Sequence, residues 1–120
     1  MKFILTLLAI AATFRSVTAQ DGSLDLSFNT DGMLTTSIGT EDYGRAVAVQ
    51  PDGKILVAGY SYDGDRDQCA VVRYLADGSL DNSFDFDGIA LTSIGDSGNR
   101  GHALAIQNDG KIVVAGYAYN

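Results

Sequence analysis

The stretch at residues 50–62, QPDGKILVAGYSY, recurs 57 residues later at residues 107–119 as QNDGKIVVAGYAY. In both copies an Asp-Gly pair is followed by a short run rich in β-branched and apolar residues, which is typical of a turn leading into a β-strand. Pro51-Asp52-Gly53 fits a type I turn with the glycine in the left-handed conformation after it. The stretch therefore predicts a β-hairpin that the chain contains twice.

The duplication extends beyond this hairpin. Residues 22–39, GSLDLSFNTDGMLTTSIG, match residues 78–95, GSLDNSFDFDGIALTSIG, and residues 44–62 match residues 101–119. The repeat units therefore begin at residues 22 and 78, and a single extra residue separates the matching blocks at a predicted loop. Repeats of this length are supersecondary units that stack on one another.

Strand signals follow one another through each unit, and no apolar period of 3.6 residues accompanies them after the first twenty residues. The strands are AVAVQ (A), KILVAGY (B), CAVVRYL (C) and MLTTSI or IALTSI (D). Strand B is apolar at successive positions, so both faces of its sheet are expected to be covered. The sequence predicts an all-β protein with antiparallel four-stranded blades of a β-propeller. The order D, ABCD, AB makes the propeller incomplete, with about one full blade plus parts of two.

Residues 52–88, together with the GSLD.SF element and the AVQPDGKI hairpin, resemble the delta-60 repeat family, a bacterial β-propeller-like repeat. The resemblance implies a propeller of many tandem units in exported or surface proteins, and it implies no catalytic residue. Members usually carry several repeats, whereas this chain has fewer than two. We therefore expect an N-terminal fragment of a longer protein, a truncated product, or a subunit whose partners are further repeats of the same protein or other chains.

Residues 1–19 have the anatomy of a signal peptide: Lys2, an apolar run, and small residues up to Ala19. We expect cleavage after Ala19, a repeat region at residues 20–120, and a secreted or cell-surface protein. The alternative is an uncleaved anchor, because Arg15 lies close to the expected cut. The apolar run is shorter than the roughly 20 residues that span a bilayer, and no membrane span is expected after cleavage.

The chain is acidic, with a formal charge of −7 that becomes −9 once Lys2 and Arg15 are removed. This charge argues against nucleic acid or anionic lipid as a partner, since both require a basic surface. The single cysteine, Cys69, is either buried or available to another chain. Its apolar setting, QCAVVRY, favours burial.

The B-to-C and D-to-A connections emerge at the same end of an antiparallel blade, and loops on a rigid scaffold often bind ligands. We expect a protein or glycan ligand there. The candidate ligand-face residues are Glu41, Asp42, Arg66, Asp96, Asn99 and Arg100.

Asp63, Asp65 and Asp67 have the alternate spacing of a calcium loop and are a candidate metal site for Ca²⁺. The remaining positions of an EF-hand loop do not match, because Gln68 and Tyr74 occupy the places of its glycine and its glutamate. The alternative is a solvated acidic turn. No other cofactor is expected.

No catalytic residue is predicted, because the single histidine, His102, corresponds to Arg45 in the first copy. The expected function is an exported binding or scaffold module. The alternative is a fragment of a propeller enzyme, a metal-dependent hydrolase or lyase whose site needs further blades. Arg73, within strand C, is expected either to reach the sheet edge or, as we favour, to pair with an acid such as Asp67 or Asp77.

Overall fold

The computed structural model describes residues 22–119, so the predicted signal peptide at residues 1–19 lies outside the described residues. Residues 22–119 form a four-stranded antiparallel sheet in the order β1-β2-β3-β4 and a two-stranded antiparallel sheet of β5 and β6. The strands are β1 (Glu41–Val49), β2 (Ile55–Tyr62), β3 (Asp67–Tyr74), β4 (Ile89–Thr92), β5 (Asn99–Ile106) and β6 (Ile112–Ala118). The all-β prediction is confirmed: β1 to β4 are strands A to D of one blade, and β5 and β6 are A and B of the next. Within this part of the chain no helix is long and apolar enough to cross a bilayer.

The two A–B hairpins turn in the same way. Gly53 N–H donates to the carbonyl oxygen of Gln50 at 2.9 Å, and Gly110 N–H donates to that of Gln107 at 2.9 Å. Both glycines adopt the left-handed backbone conformation, with φ of 86° and 83°. The turn predicted from the Asp-Gly pair is therefore present in both copies.

A β-bulge interrupts strand A at the same place in both units. The register shifts between Gly44 and Ala46 in one hairpin and between Gly101 and Ala103 in the other. Opposite the first bulge, a Cβ added to Gly59 would collide with the carbonyl oxygen of Tyr43. The glycine of the repeated VAGY motif is thus needed because the bulged strand approaches it closely.

Both A strands begin earlier than the sequence predicts. β1 starts at Glu41 and β5 at Asn99, within stretches that were expected to be loops. A bulge shifts the inward–outward alternation of side chains by one residue, so the strand before it does not continue the pattern after it. Four of the six candidate ligand-face residues consequently lie in strands: Glu41, Asp42, Asn99 and Arg100.

The D strand predicted in the first copy, at residues 33–38, is absent. Its counterpart β4 is a strand because it pairs with β3, whereas none of residues 22–119 takes that place beside residues 33–38. Instead, this segment crosses one face of the four-stranded sheet, where Thr36 Oγ1 lies 2.7 Å from the hydroxyl of Tyr74.

The four-stranded sheet has two apolar faces, and strand β2 is covered on both, as predicted. Val47 and Val49 of β1 remain exposed on the first face. The first face lies beneath residues 28–38, with a cavity of about 510 Å³ between them, and includes Val57, Gly59, Ala70 and Val72. The second face packs against β5, which residues 93–98 connect to β4. Its main side chains are buried: Leu56 and Ala58 are 0% exposed and Tyr60 is 5% exposed.

The contact between the second face and β5 is very close at Gly101. A Cβ at this position would lie 2.8 Å from the carbonyl oxygen of Gly59 and 3.1 Å from Sγ of Cys69. Any larger residue would push β5 away from the sheet.

The GSLD.SF element forms the same turn in both copies. Asp25 accepts from Ser27 N–H at 2.9 Å, and Asp81 accepts from Ser83 N–H at 3.1 Å. In both copies the aspartate therefore fixes the turn through a local backbone N–H group. Phe28, from the first copy, packs against Gly78 of the second, which joins the two units at this element.

Asp81 also holds together three parts of the blade. Its Oδ2 lies 2.7 Å from Nε of Arg73 in β3 and 3.1 Å from Nζ of Lys54 at the β1–β2 turn. Hydrogen bonds from Ser83, and then the two cations, hold the pKa of Asp81 well below its usual range despite its burial. The predicted pairing of Arg73 with an acid is thus confirmed, but the acid is Asp81. The two suggested partners were wrong, since Asp67 pairs with Arg100 and Asp77 caps a turn.

We expect Asp81→Asn to lower the melting temperature at pH 7 by several degrees, because Arg73 loses its buried partner. The pKa of Asp81 is lower in the folded than in the unfolded chain, so the stabilisation is complete above about pH 4. It is lost as the pH falls toward the folded-state pKa. Thermal melts at pH 7 and about pH 2.5 measure this difference.

Asp25→Asn is the matched control, because Asp25 occupies the same position in the first copy and is exposed. Its substitution should change the melting temperature much less. Equal effects of the two substitutions, or an Asp81→Asn effect that does not shrink in acid, would contradict the role of the ion pairs.

Candidate functional site

Tyrosine and arginine side chains gather at the end of the blade where the β2–β3 loop and the β4–β5 connection lie. We call Tyr43, Arg45, Tyr60, Arg100 and Tyr117 the tyrosine–arginine cluster. The rings of Tyr43 and Tyr60 stack with centroids 4.8 Å apart. The guanidinium of Arg45 lies 5.4 Å from the centroid of Tyr60, and its Nη2 donates to the Tyr60 hydroxyl at 3.0 Å. Arg45 reaches the rings because it is the bulged residue of β1.

Arg100 connects the hairpin to the blade. Its Nε lies 2.6 Å from Oδ2 of Asp67 in β3, and its guanidinium lies 4.6 Å from the centroid of Tyr60. Its Nη1 donates to the hydroxyl of Tyr117 at 3.2 Å. The hydrogen bond to Asp67 raises the pKa of Arg100, so the guanidinium is charged at any pH at which the protein is folded.

The cluster is open to solvent on one side. Tyr60 is buried, but Tyr43 is 43% and Tyr117 40% exposed. Arg45 is exposed as well, and among residues 22–119 it takes part in no salt bridge. The arrangement therefore presents aromatic rings next to a guanidinium that is available for an anionic group.

Two of the predicted ligand-face residues hold backbone in place. Asp42 accepts from Ile38 N–H at 2.9 Å, and its equivalent Asn99 accepts from Ile94 N–H at 3.0 Å. Burial alone raises the pKa of Asp42, but hydrogen bonds from Ile38, Ser61 and Gly39 outweigh it and lower the pKa. Asn99 is only 1% exposed, so its side chain does not reach the surface.

The other four predicted residues lie nearer the surface of this end. Glu41 accepts a hydrogen bond from the Tyr43 hydroxyl at 2.9 Å, which raises the pKa of Tyr43. Arg66 Nη1 donates to the carbonyl oxygen of Asp96 at 3.4 Å. The structure thus brings Glu41 and Arg100 to the cluster and joins Arg66 to Asp96 between two loops.

The three aspartates of the predicted calcium site do not converge. Asp63 accepts hydrogen bonds from the N–H groups of Arg66 and Asp65, which lower its pKa, and also from Gln68. Asp67 is paired with Arg100 instead. Among residues 22–119 no group of three or more His, Cys, Asp or Glu side chains could hold a metal ion. In the described structure residues 63–67 form an acidic turn that Asp63 caps.

Most of the cluster was not among the predicted residues. A signal was present, because Tyr60 and Tyr117 occupy the same position of the VAGY motif in both copies. Arg45 and His102, also equivalent, are both able to carry a positive charge. A motif that keeps a tyrosine opposite a basic bulge residue indicates a shared site more directly than the variable loops do.

The comparisons with known proteins bear on the repeat. A family model described as "Domain of unknown function (DUF5122) beta-propeller" matches residues 50–84 and 107–120. No curated protein and no solved structure matches the chain. The matched segments contain β2, β3 and β6, so the repeated turn with strand B, and strand C of the blade, are similar to that β-propeller domain. The blade and the second hairpin are accordingly parts of a β-propeller-like repeat protein.

Cys69 lies under the contact between blade and hairpin. The thiol is half-buried, and a Cβ at Gly101 would lie 3.1 Å from its Sγ. Burial raises the pKa of this thiol. The less a thiol ionises, the more slowly it is alkylated, so Cys69 reports on how closely β5 packs.

We expect iodoacetamide at pH 8 to alkylate Cys69 at least about tenfold more slowly in the folded chain than in urea, because β5 covers the thiol and its pKa is raised. Gly101→Ala should accelerate alkylation by pushing β5 outward. Gly98→Ala is the control, since its Cβ would meet neighbours at an ordinary 3.5 Å. Mass spectrometry of timed samples measures the rate, and equal rates in the folded and unfolded chains would contradict this packing.

Proposed function

We propose that this β-propeller-type chain is an exported binding module of the delta-60 repeat kind, and that its tyrosine–arginine cluster binds an acidic glycan. The observation that carries the proposal is the environment of Arg45. Its exposed guanidinium lies over two stacked tyrosine rings and makes no ion pair within the described residues.

The chemistry of the cluster suits a sugar that carries a carboxylate. A guanidinium binds a carboxylate through two parallel hydrogen bonds. Exposed tyrosine rings offer an apolar plane with a polar edge, which matches the alternating CH and OH groups of a pyranose. Tyr43 and Tyr117 provide such rings on either side of the boundary between blade and hairpin.

A glycan is favoured over a protein ligand by the acidic surroundings of this surface. Protein partners bury about 800 Å² on each side, usually around an apolar centre. The surroundings of the cluster are instead acidic loops, with Asp63, Asp65 and Asp96 exposed. Among these acidic loops Arg45 is a local cationic point, which suits a glycan that reaches it with one carboxylate.

No observation among the described residues favours the enzyme alternative. The single histidine, His102, is exposed and stacks on Tyr117 with ring centroids 5.2 Å apart. It extends the aromatic surface of the cluster, which fits a binding role.

The binding proposal is tested with polygalacturonate, and with its fully methyl-esterified form as a matched uncharged glycan. We expect polygalacturonate in an affinity gel to retard the native chain and the esterified form to retard it much less. Arg45→Ala should weaken the apparent affinity for polygalacturonate at least about tenfold, since a charge-assisted hydrogen bond is lost.

Lys111→Ala is the control, because Lys111 is an exposed cation at the opposite end of the strands. It should leave the affinity unchanged. Lack of retardation by either glycan would overturn the proposal and leave a protein ligand. Equal losses from Arg45→Ala and Lys111→Ala would show that binding is not local to the cluster.

Export is supported by the composition of residues 1–19, with a basic start, an apolar run and small residues before the expected cut. We expect the protein recovered outside bacterial cells to begin at Gln20, which N-terminal sequencing measures. Ala19→Arg should block cleavage, because the residue before the cut must be small. An exported native chain that still begins at Met1 would contradict cleavage.

A further inference from the structure

The second face of the A–B hairpin occurs twice in the molecule, once in the blade and once in β5–β6. On the second face of the blade, Leu56, Ala58 and Tyr60 are 0%, 0% and 5% exposed, because β5 packs on them. The equivalent residues of the second hairpin are Val113, Ala115 and Tyr117. Val113 is 45% and Tyr117 40% exposed, and Ala115 is exposed as well. The same apolar face is thus buried in one unit and open in the next.

The opposite surface is open at the other end of the described structure. Val47 and Val49 point to the first face of the blade, where they are 68% and 64% exposed. Their equivalents in the second hairpin, Leu104 and Ile106, are half-buried against the blade. The cavity of about 510 Å³ lies on this same first face. Residues 28–38 therefore cover one part of the first face. The part around Val47 and Val49 has no partner within residues 22–119.

The internal contact defines what fits each open surface. Within the chain, the first face of one A–B hairpin packs on the second face of the preceding sheet. Within residues 22–119, the second face of β5–β6 is free and the first face of β1–β2 is partly free. The two free surfaces are thus complementary to each other, but they lie on opposite sides of the molecule. Such a pair forms a head-to-tail contact, which can continue from copy to copy until a ring closes.

We propose that a second copy of this chain docks by its β1–β2 first face onto the β5–β6 second face, repeating the contact between blade and hairpin. Val47 and Val49 of the docking copy then cover Ala103, Ala105 and Val113, which are exposed apolar residues in the single chain. Gly44 occupies the position in the docking strand that Gly101 occupies in the internal contact, so no side chain at this position blocks a close approach. The contact requires no glycan, but it would cover Tyr117 of the tyrosine–arginine cluster as β5 covers Tyr60.

The oligomeric state of the purified native chain tests the proposal, with sedimentation velocity over a range of concentrations. We expect species of two or more chains whose share rises with concentration. Ala115→Glu and Val47→Glu should each weaken association at least about tenfold, because each places a charge in the new contact. Both positions are exposed in the single chain, so neither variant should unfold, and circular dichroism checks this. Asn82→Glu, in an exposed turn, is the control and should associate like the native chain.

Mixing the two glutamate variants separates a head-to-tail contact from a symmetric one. The Ala115→Glu chain retains an intact first face, and the Val47→Glu chain retains an intact second face. Together they should form a one-to-one dimer and nothing larger, although neither associates strongly alone. A native chain that is monomeric at every concentration would overturn the proposal. So would a mixture that yields no dimer, or an Ala115→Glu chain that assembles normally.

Discussion

Gly101 brings the backbone of β5 against the carbonyl oxygen of Gly59 and the sulfur of Cys69, and the rest of the described structure depends on this close approach. Strand β2 is apolar toward both sides, so a single sheet cannot bury it. The hairpin that follows covers one side, and residues 28–38 cover the other. Once β5 lies this close, Arg100 reaches Asp67 and Tyr60, and the cluster forms across the boundary. Packing of one unit on the next therefore creates the candidate site as well as the core.

The sequence predicted the features that rest on short patterns. The Asp-Gly turns, the order of strands A to D and the covering of both faces follow from local propensity and from the apolar run of β2, and the structure contains all three. The early starts of β1 and β5 could not be predicted in this way. The bulge at Arg45 breaks the alternation on which strand prediction relies. Residues 33–38 have the composition of a strand, yet a strand also requires a neighbour, which a local pattern does not supply.

The candidate site was harder to predict than the fold because it depends on which side chains meet. Asp67 looked like a calcium ligand or a partner for Arg73, but Arg100, 33 residues away, takes it. Asp81 accepts from Ser83 N–H in a turn, and it also pairs with two cations. From the sequence alone, several basic side chains or backbone N–H groups could pair with each of these aspartates. Only the packing of separate elements decides among them.

The six residues of the connection between β4 and β5, residues 93–98, have a consequence for the strength of the contact between units. A short connection holds two surfaces at an effective concentration in the millimolar range. Within the chain, a contact of modest affinity is therefore sufficient to keep β5 on the blade nearly all the time. The same surfaces on separate molecules meet only at the concentration of the protein. The same set of side chains can thus form a stable contact within one chain and a reversible contact between two chains.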